Sequence, residues 1–98
     1  MVLKVGTFKA DCTGKQQAVK VLEEAAEVFG AWQRFVSTRY LVSKGAIDEY
    51  SLHKAKLELA DEIADVITAA CNLAERYGLD MKAAMERCEA RNHERGRL

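Results

Sequence analysis

Apolar residues in the first half of the chain recur at spacings of three and four. Leu22, Ala25, Ala26, Phe29, Trp32 and Val36 fall on one face of a helix. Thr13 with Gln16 three residues later makes a capping-box start, so this helix is predicted from Thr13 to about Arg39, running through Gly30. Ser43, Lys44 and Gly45 mark a break. A second helix is predicted to begin between Ile47 and Leu52 and to run to Tyr77, with Leu59, Ile63, Val66, Ala70, Leu73 and Tyr77 as its apolar stripe. Gly78 fits the left-handed residue that closes a helix, and Asp80 fits the N-cap of a third, from Met81 to Arg91 or beyond. Residues 1–12 carry no helical period and read as an extended arm. Residues 13–98 read as a single all-α domain of three main helices.

Three helices, two of them long, close a poor bundle alone. A dimer that pairs the long helices would supply a four-helix core. The length of 98 residues points the same way, because a domain this small buries only about 60% of its unfolded surface. Proline is absent, which suits long uninterrupted helices. The 15 basic and 15 acidic residues cancel, which argues against a general nucleic-acid binder. No apolar run approaches the roughly 18 residues of a membrane span, and no signal peptide opens the chain. Cys12, Cys71 and Cys88 are odd in number and widely spaced. They read as reduced thiols of a cytoplasmic protein, not as a disulfide framework or a zinc site.

The acidic residues carry the candidate chemistry. The first helix holds Glu23, Glu24 and Glu27, and the second holds Glu58, Asp61, Glu62 and Asp65. Glu24 and Glu27, like Glu62 and Asp65, are three apart and project from one side of their helix. Like charges at that spacing repel. Two such pairs on neighbouring helices could supply four oxygen ligands to Mg²⁺ or Mn²⁺. On the first helix the periodicity alone favours a solvated face, since Glu23, Glu24 and Glu27 lie opposite the Leu22–Phe29 stripe and Lys20 offers a surface ion pair. On the second, Glu62 falls between Val66 and Ala69 on the wheel. A carboxylate against apolar neighbours needs a partner or a metal.

The stretch Lys20-Val-Leu-Glu23-Glu24-Ala-Ala-Glu27, followed by Glu62-Ile-Ala-Asp65-Val66, resembles the EExxE…ExxD signature of the all-α nucleoside triphosphate pyrophosphatases, the MazG-like superfamily. The resemblance spans residues 15–95 and includes Gly78-Leu79-Asp80 and the closing Asn92-His-Glu-Arg95-Gly96. It implies a helical homodimer or homotetramer that hydrolyses nucleoside triphosphates to the monophosphate and pyrophosphate with Mg²⁺, in nucleotide-pool cleaning. By position, Glu24, Glu27, Glu62 and Asp65 would be metal ligands. Glu23, beside Glu24, would hold a further metal or orient water. Asn92 and Arg95 would grip phosphate, and Lys20 is a further candidate for that role. Glu58-Leu-Ala-Asp61 also spells ExxD, but the apolar continuation Asp65-Val-Ile favours Glu62 and Asp65. The 34 residues between Glu27 and Glu62 exceed the usual interval and would lengthen both helices or insert a short one.

Two other readings compete. Phosphoribosyl-ATP pyrophosphohydrolase of histidine biosynthesis shares the reaction type. A non-catalytic helical interaction module would use the carboxylates only as surface charge. No Walker-type phosphate loop surrounds Gly14-Lys15, so metal would have to neutralise a triphosphate. Base recognition is weakly encoded. Trp32, at the edge of its stripe, is the best stacking candidate, and core packing is the simpler role for Phe29.

Overall fold

The computed structural model describes residues 13–97. The arm read at residues 1–12 and Cys12 lie outside them. The described chain contains α1 (Gly14–Ser43), α2 (Glu49–Arg76) and α3 (Met81–Glu94), and it is all-α as its periodicity predicts. The long interval between the acidic motifs is absorbed by lengthening both long helices around a short turn. None of the helices is long and apolar enough to cross a membrane.

Local signals set the boundaries. Thr13 Oγ1 accepts from Gln16 N–H at 3.1 Å and Gln16 Oε1 accepts from Thr13 N–H at 2.7 Å, which completes the capping box. Asp48 caps α2 by accepting from the Ser51 amide at 3.0 Å, and Asp80 caps α3 by accepting from the Ala83 amide at 3.0 Å. Gly45 and Gly78 take φ of +72° and +59°. At Gly78 the Leu79 amide donates to Ala74 at 3.0 Å and the Gly78 amide donates to Glu75 at 3.1 Å, the paired bonds that end a helix on a left-handed residue. Without a Cβ, glycine adopts that conformation at little steric cost.

α1 and α2 form an antiparallel hairpin, and α3 packs extensively on neither. Arg76 near the end of α2 donates to Gln17 near the start of α1 at 3.3 Å, which ties the open end of the hairpin. The less exposed positions of α1 include Gln17, Val21, Glu24, Val28, Ala31, Phe35, Thr38 and Val42. Those of α2 include Leu52, Ala55, Leu59, Glu62, Val66, Ala69 and Leu73. Both sets alternate steps of three and four, the spacing of a coiled-coil seam.

This seam matches the predicted stripes only in part: Leu59, Val66 and Leu73 of the α2 stripe lie in it and Val36 of α1 is half-buried, while the rest are exposed. Leu22 is 71% exposed, Phe29 59% and Trp32 48%, and Ala25 and Ala26 are also exposed. On α2, Ile63, Ala70 and Tyr77 are exposed where burial was expected. The reason is that α1 carries two apolar faces, and the hairpin uses only one of them. The fully described core is small. The buried hydrophobic residues are Ala31, Ala55, Ala69 and Ala74, and no large side chain is fully buried.

Candidate metal centre

Halfway along the hairpin the small alanines of the seam let the helices approach, and two carboxylates occupy seam positions. Glu24 is only 7% exposed and Glu62 is half-buried. The expected solvated face of α1 therefore holds for Glu23 and Glu27, which are exposed, and fails for Glu24. Glu24 belongs to the seam because it follows Gln17 by seven residues and precedes Ala31 by seven, which keeps all three on one face.

Glu24, Glu62 and Asp65 each offer a carboxylate oxygen, and these oxygens lie within 4.8 Å of one another. Glu24 Oε1 accepts from Lys20 Nζ at 2.7 Å. Glu24 Oε2 and Glu62 Oε2 are buried with no hydrogen-bond partner among the described residues. Buried carboxylate oxygens are costly without a donor or a cation, so this donor set fits a hard divalent ion. Glu27, exposed at the edge of the cluster, feels the charges of both Glu24 and Glu62.

The electrostatics separate the two glutamates of α1. The hydrogen bond from Lys20 holds the Glu24 carboxyl below its ordinary range. Glu27 is pushed above its ordinary range, first by the neighbouring Glu24 carboxylate and then by Glu62. A carboxyl whose folded pKa is raised adds stability that is complete below its unfolded pKa and is lost as pH rises through the folded pKa. In divalent-free buffer, Glu27→Gln is therefore expected to raise the melting temperature at neutral pH, and the gain should vanish once the solution is acidic enough to protonate Glu27. Thermal melts across pH test this, and an unchanged or lower melting temperature at neutral pH contradicts it.

The alternative ExxD pair is placed elsewhere. Glu58 faces Arg34, with Oε2 3.8 Å from Nε, about one turn from Glu62 and two from Asp65 towards the connecting turn. The register with Glu62 and Asp65 is the one opposite Glu24. Arg34 and Glu58 belong instead to an open groove of about 610 Å³, together with Gly30, Ser37, Tyr50 and Lys54. Gly30 and Arg34 are three and seven residues past Glu27, and Glu58 precedes Asp65 by seven. The groove thus continues the flank of the acidic cluster, displaced by about 10 Å. These groove residues were not singled out for this role from the sequence, although the seven-residue spacings from Glu27 and Asp65 were a usable signal.

Trp32 is not brought to this flank. It is five residues past Glu27, about 140° around the helix, and stacks with Phe29 at a centroid distance of 5.7 Å. Asn92 and Arg95 lie on and at the end of α3, away from the hairpin seam. Asn92 Nδ2 meets Cys88 Sγ at 3.5 Å, and Arg97 Nη1 meets Asn92 Oδ1 at 3.5 Å. Cys71 and Cys88 are free and half-buried, in keeping with small apolar packing. Compared with protein-family models, curated proteins and solved structures, the chain matches none.

Proposed function

We propose that this protein is a divalent-cation-dependent nucleotide pyrophosphohydrolase of the MazG-like kind. The observation that carries the reading is the pair of buried, partnerless oxygens on Glu24 and Glu62, in a cluster whose ligand oxygens lie within 4.8 Å. Surface acidic patches have no reason to bury oxygens without donors, whereas a cation site does. Glu24, Glu62 and Asp65 hold the ion, and Glu27, exposed at their edge, is the fourth carboxylate of the set. Mg²⁺ suits this all-oxygen set, and Mn²⁺ can substitute. When bound, such an ion neutralises phosphate oxygens and makes a bound water more acidic.

The chain's own residues supply the rest of the chemistry. The water oxygen bonds to the α-phosphorus while the bond to the α–β bridging oxygen breaks, and pyrophosphate leaves with that electron pair. In this reading Glu23, exposed and next to Glu24 in the chain, accepts the water's proton. The groove of Arg34, Tyr50 and Lys54 gives the nucleoside or the outer phosphates room on the same flank. Asn92 and Arg95 contact phosphate only where α3 comes over a cluster, that of its own chain or of a partner.

The partner in this reading is a second copy. The described residues leave a contiguous stripe of large apolar side chains uncovered on α1, with Leu22 71%, Phe29 59% and Trp32 48% exposed, and a face of this kind suits burial against another chain. The exposed stripe of Leu22, Phe29 and Trp32 lies on the flank away from Glu27 and the groove, so pairing there leaves the site open.

The test is product analysis with a panel of ribo- and deoxyribonucleoside triphosphates and phosphoribosyl-ATP, each with Mg²⁺ or with chelator. Monophosphate and pyrophosphate formed only with metal are the expected products. Cleavage of phosphoribosyl-ATP alone would assign the histidine-pathway reaction. No turnover of any member, together with no metal binding, would leave the carboxylates as the surface charge of an interaction module.

A further inference from the structure

We propose that Lys20 is a built-in counter-cation, which occupies the acidic cluster before a metal ion arrives and is expelled by it to become a phosphate-binding group. The inference rests on the metal-site reading above and goes beyond it, because it assigns Lys20 two successive partners.

The geometry of the pair is unequal. The Lys20 side chain is 58% exposed and that of Glu24 is 9% exposed, yet Nζ and Oε1 are 2.7 Å apart. The lysine therefore lies over the cluster from the solvent side, with its ammonium against the most buried carboxylate. The charges of Glu23 and Glu27 act on the same ammonium as Glu24 does. Lys20 is the cation that the structure pairs with Glu24, and it satisfies only one oxygen. Glu24 Oε2 and Glu62 Oε2 still have no donor. A single ammonium thus compensates the cluster in part, which suits a placeholder better than a permanent partner.

A divalent ion among Glu24, Glu62 and Asp65 carries twice the charge and satisfies the oxygens that the ammonium leaves unpartnered. An ammonium hydrogen-bonded to Glu24 would then sit beside a like charge in a partly desolvated site, where repulsion is poorly screened. Four rotatable bonds let Lys20 swing out without moving α1. It swings out onto the flank that carries Glu27 and the groove, where a triphosphate bound to the ion presents oxygens. Metal binding and substrate binding are coupled by this exchange, because the ion releases the very cation that its substrate needs.

The experiment measures Mn²⁺ and Mg²⁺ binding to the full chain by titration calorimetry without nucleotide, for wild type, Lys20→Met, Lys20→Gln and Glu24→Gln. Removing the competing cation is expected to tighten metal binding about ten-fold in both Lys20 variants, while Glu24→Gln loses it. Inorganic tripolyphosphate is then titrated into metal-saturated protein. Its affinity should fall about ten-fold in Lys20→Met and be retained in Lys20→Arg. A lysine that only supports the helix would weaken metal binding or leave it unchanged, and either result overturns the exchange. So does unchanged tripolyphosphate affinity in Lys20→Met. Absence of metal binding in wild type and both Lys20 variants rejects the metal site itself, and the exchange with it. Circular dichroism of each variant verifies that the helices are intact.

Discussion

Glu24→Gln is expected to abolish metal-dependent turnover while leaving the helices folded. Glutamine matches glutamate in shape, so the seam position between Gln17 and Ala31 remains filled. What disappears is the charge of the most buried carboxylate in the cluster. The amide cannot replace an anionic oxygen as a ligand to a hard ion, and its nitrogen presents donors where the ion would sit. Loss of a group that organises transition-state charge costs about a thousand-fold in rate. Asp65→Asn should behave in the same way from the opposing helix. Far-ultraviolet circular dichroism should remain that of wild type, and metal titration should show no saturable binding. Turnover within a few-fold of wild type for Glu24→Gln, under saturating Mg²⁺, would rule out this cluster as the catalytic metal centre.

The second large effect is expected on the opposite flank. Phe29 and Trp32 stack on one another, are 59% and 48% exposed, and stand beside the exposed Leu22. Aromatic side chains of this kind bury about 150–250 Å² each and act as anchors of interfaces. In the double variant Phe29→Glu/Trp32→Glu, two like charges would face their symmetry mates across a two-fold interface. Wild-type protein is expected to elute as a dimer or larger at micromolar concentration, and the double variant as a monomer. The monomer should also melt at a much lower temperature, because its remaining buried apolar residues, among those described, are four alanines. Light scattering coupled to size exclusion, followed by thermal melts, measures both. A monomeric wild type, or a variant that keeps its assembly state and melting temperature, would show that this flank is not an oligomer interface.

These two flanks explain why one reading of the helices succeeded and another did not. The ends of the helices are local events. Thr13 and Gln16 satisfy one another's backbone within a single turn, Asp48 and Asp80 each cap an amide three residues on, and Gly78 supplies a left-handed residue next to the bonds it permits. Nothing distant is needed for any of them. The pairing of acidic motifs was equally legible, because Glu24 with Glu27 and Glu62 with Asp65 share their faces by spacing alone.

The packed face of α2 was legible in part, since Leu59, Val66 and Leu73 do lie in the seam, but the packed face of α1 was not. α1 presents Val21, Val28 and Phe35 on one side and Leu22, Phe29 and Val36 on the next, each at helical spacing. The larger aromatics of the second set suggested a core, and the glutamates opposite them suggested solvent. Packing reversed that order. Ala31 on α1 and Ala55 and Ala69 on α2 let the hairpin close on the first set, and closure carried Glu24 inward with it.

The sequence by itself determined three helices, their caps and stops, and two acidic pairs in order along the chain. All of these depend on contacts within a turn or two of one helix. Only the tertiary structure decided that Glu24 is buried, that Glu62 and Asp65 and not Glu58 and Asp61 face it, and that Trp32 points away from the cluster. Those outcomes depend on the rotation of one helix against another. That rotation is set by which of two competing apolar faces packs more closely, a comparison that exists only once both helices are together.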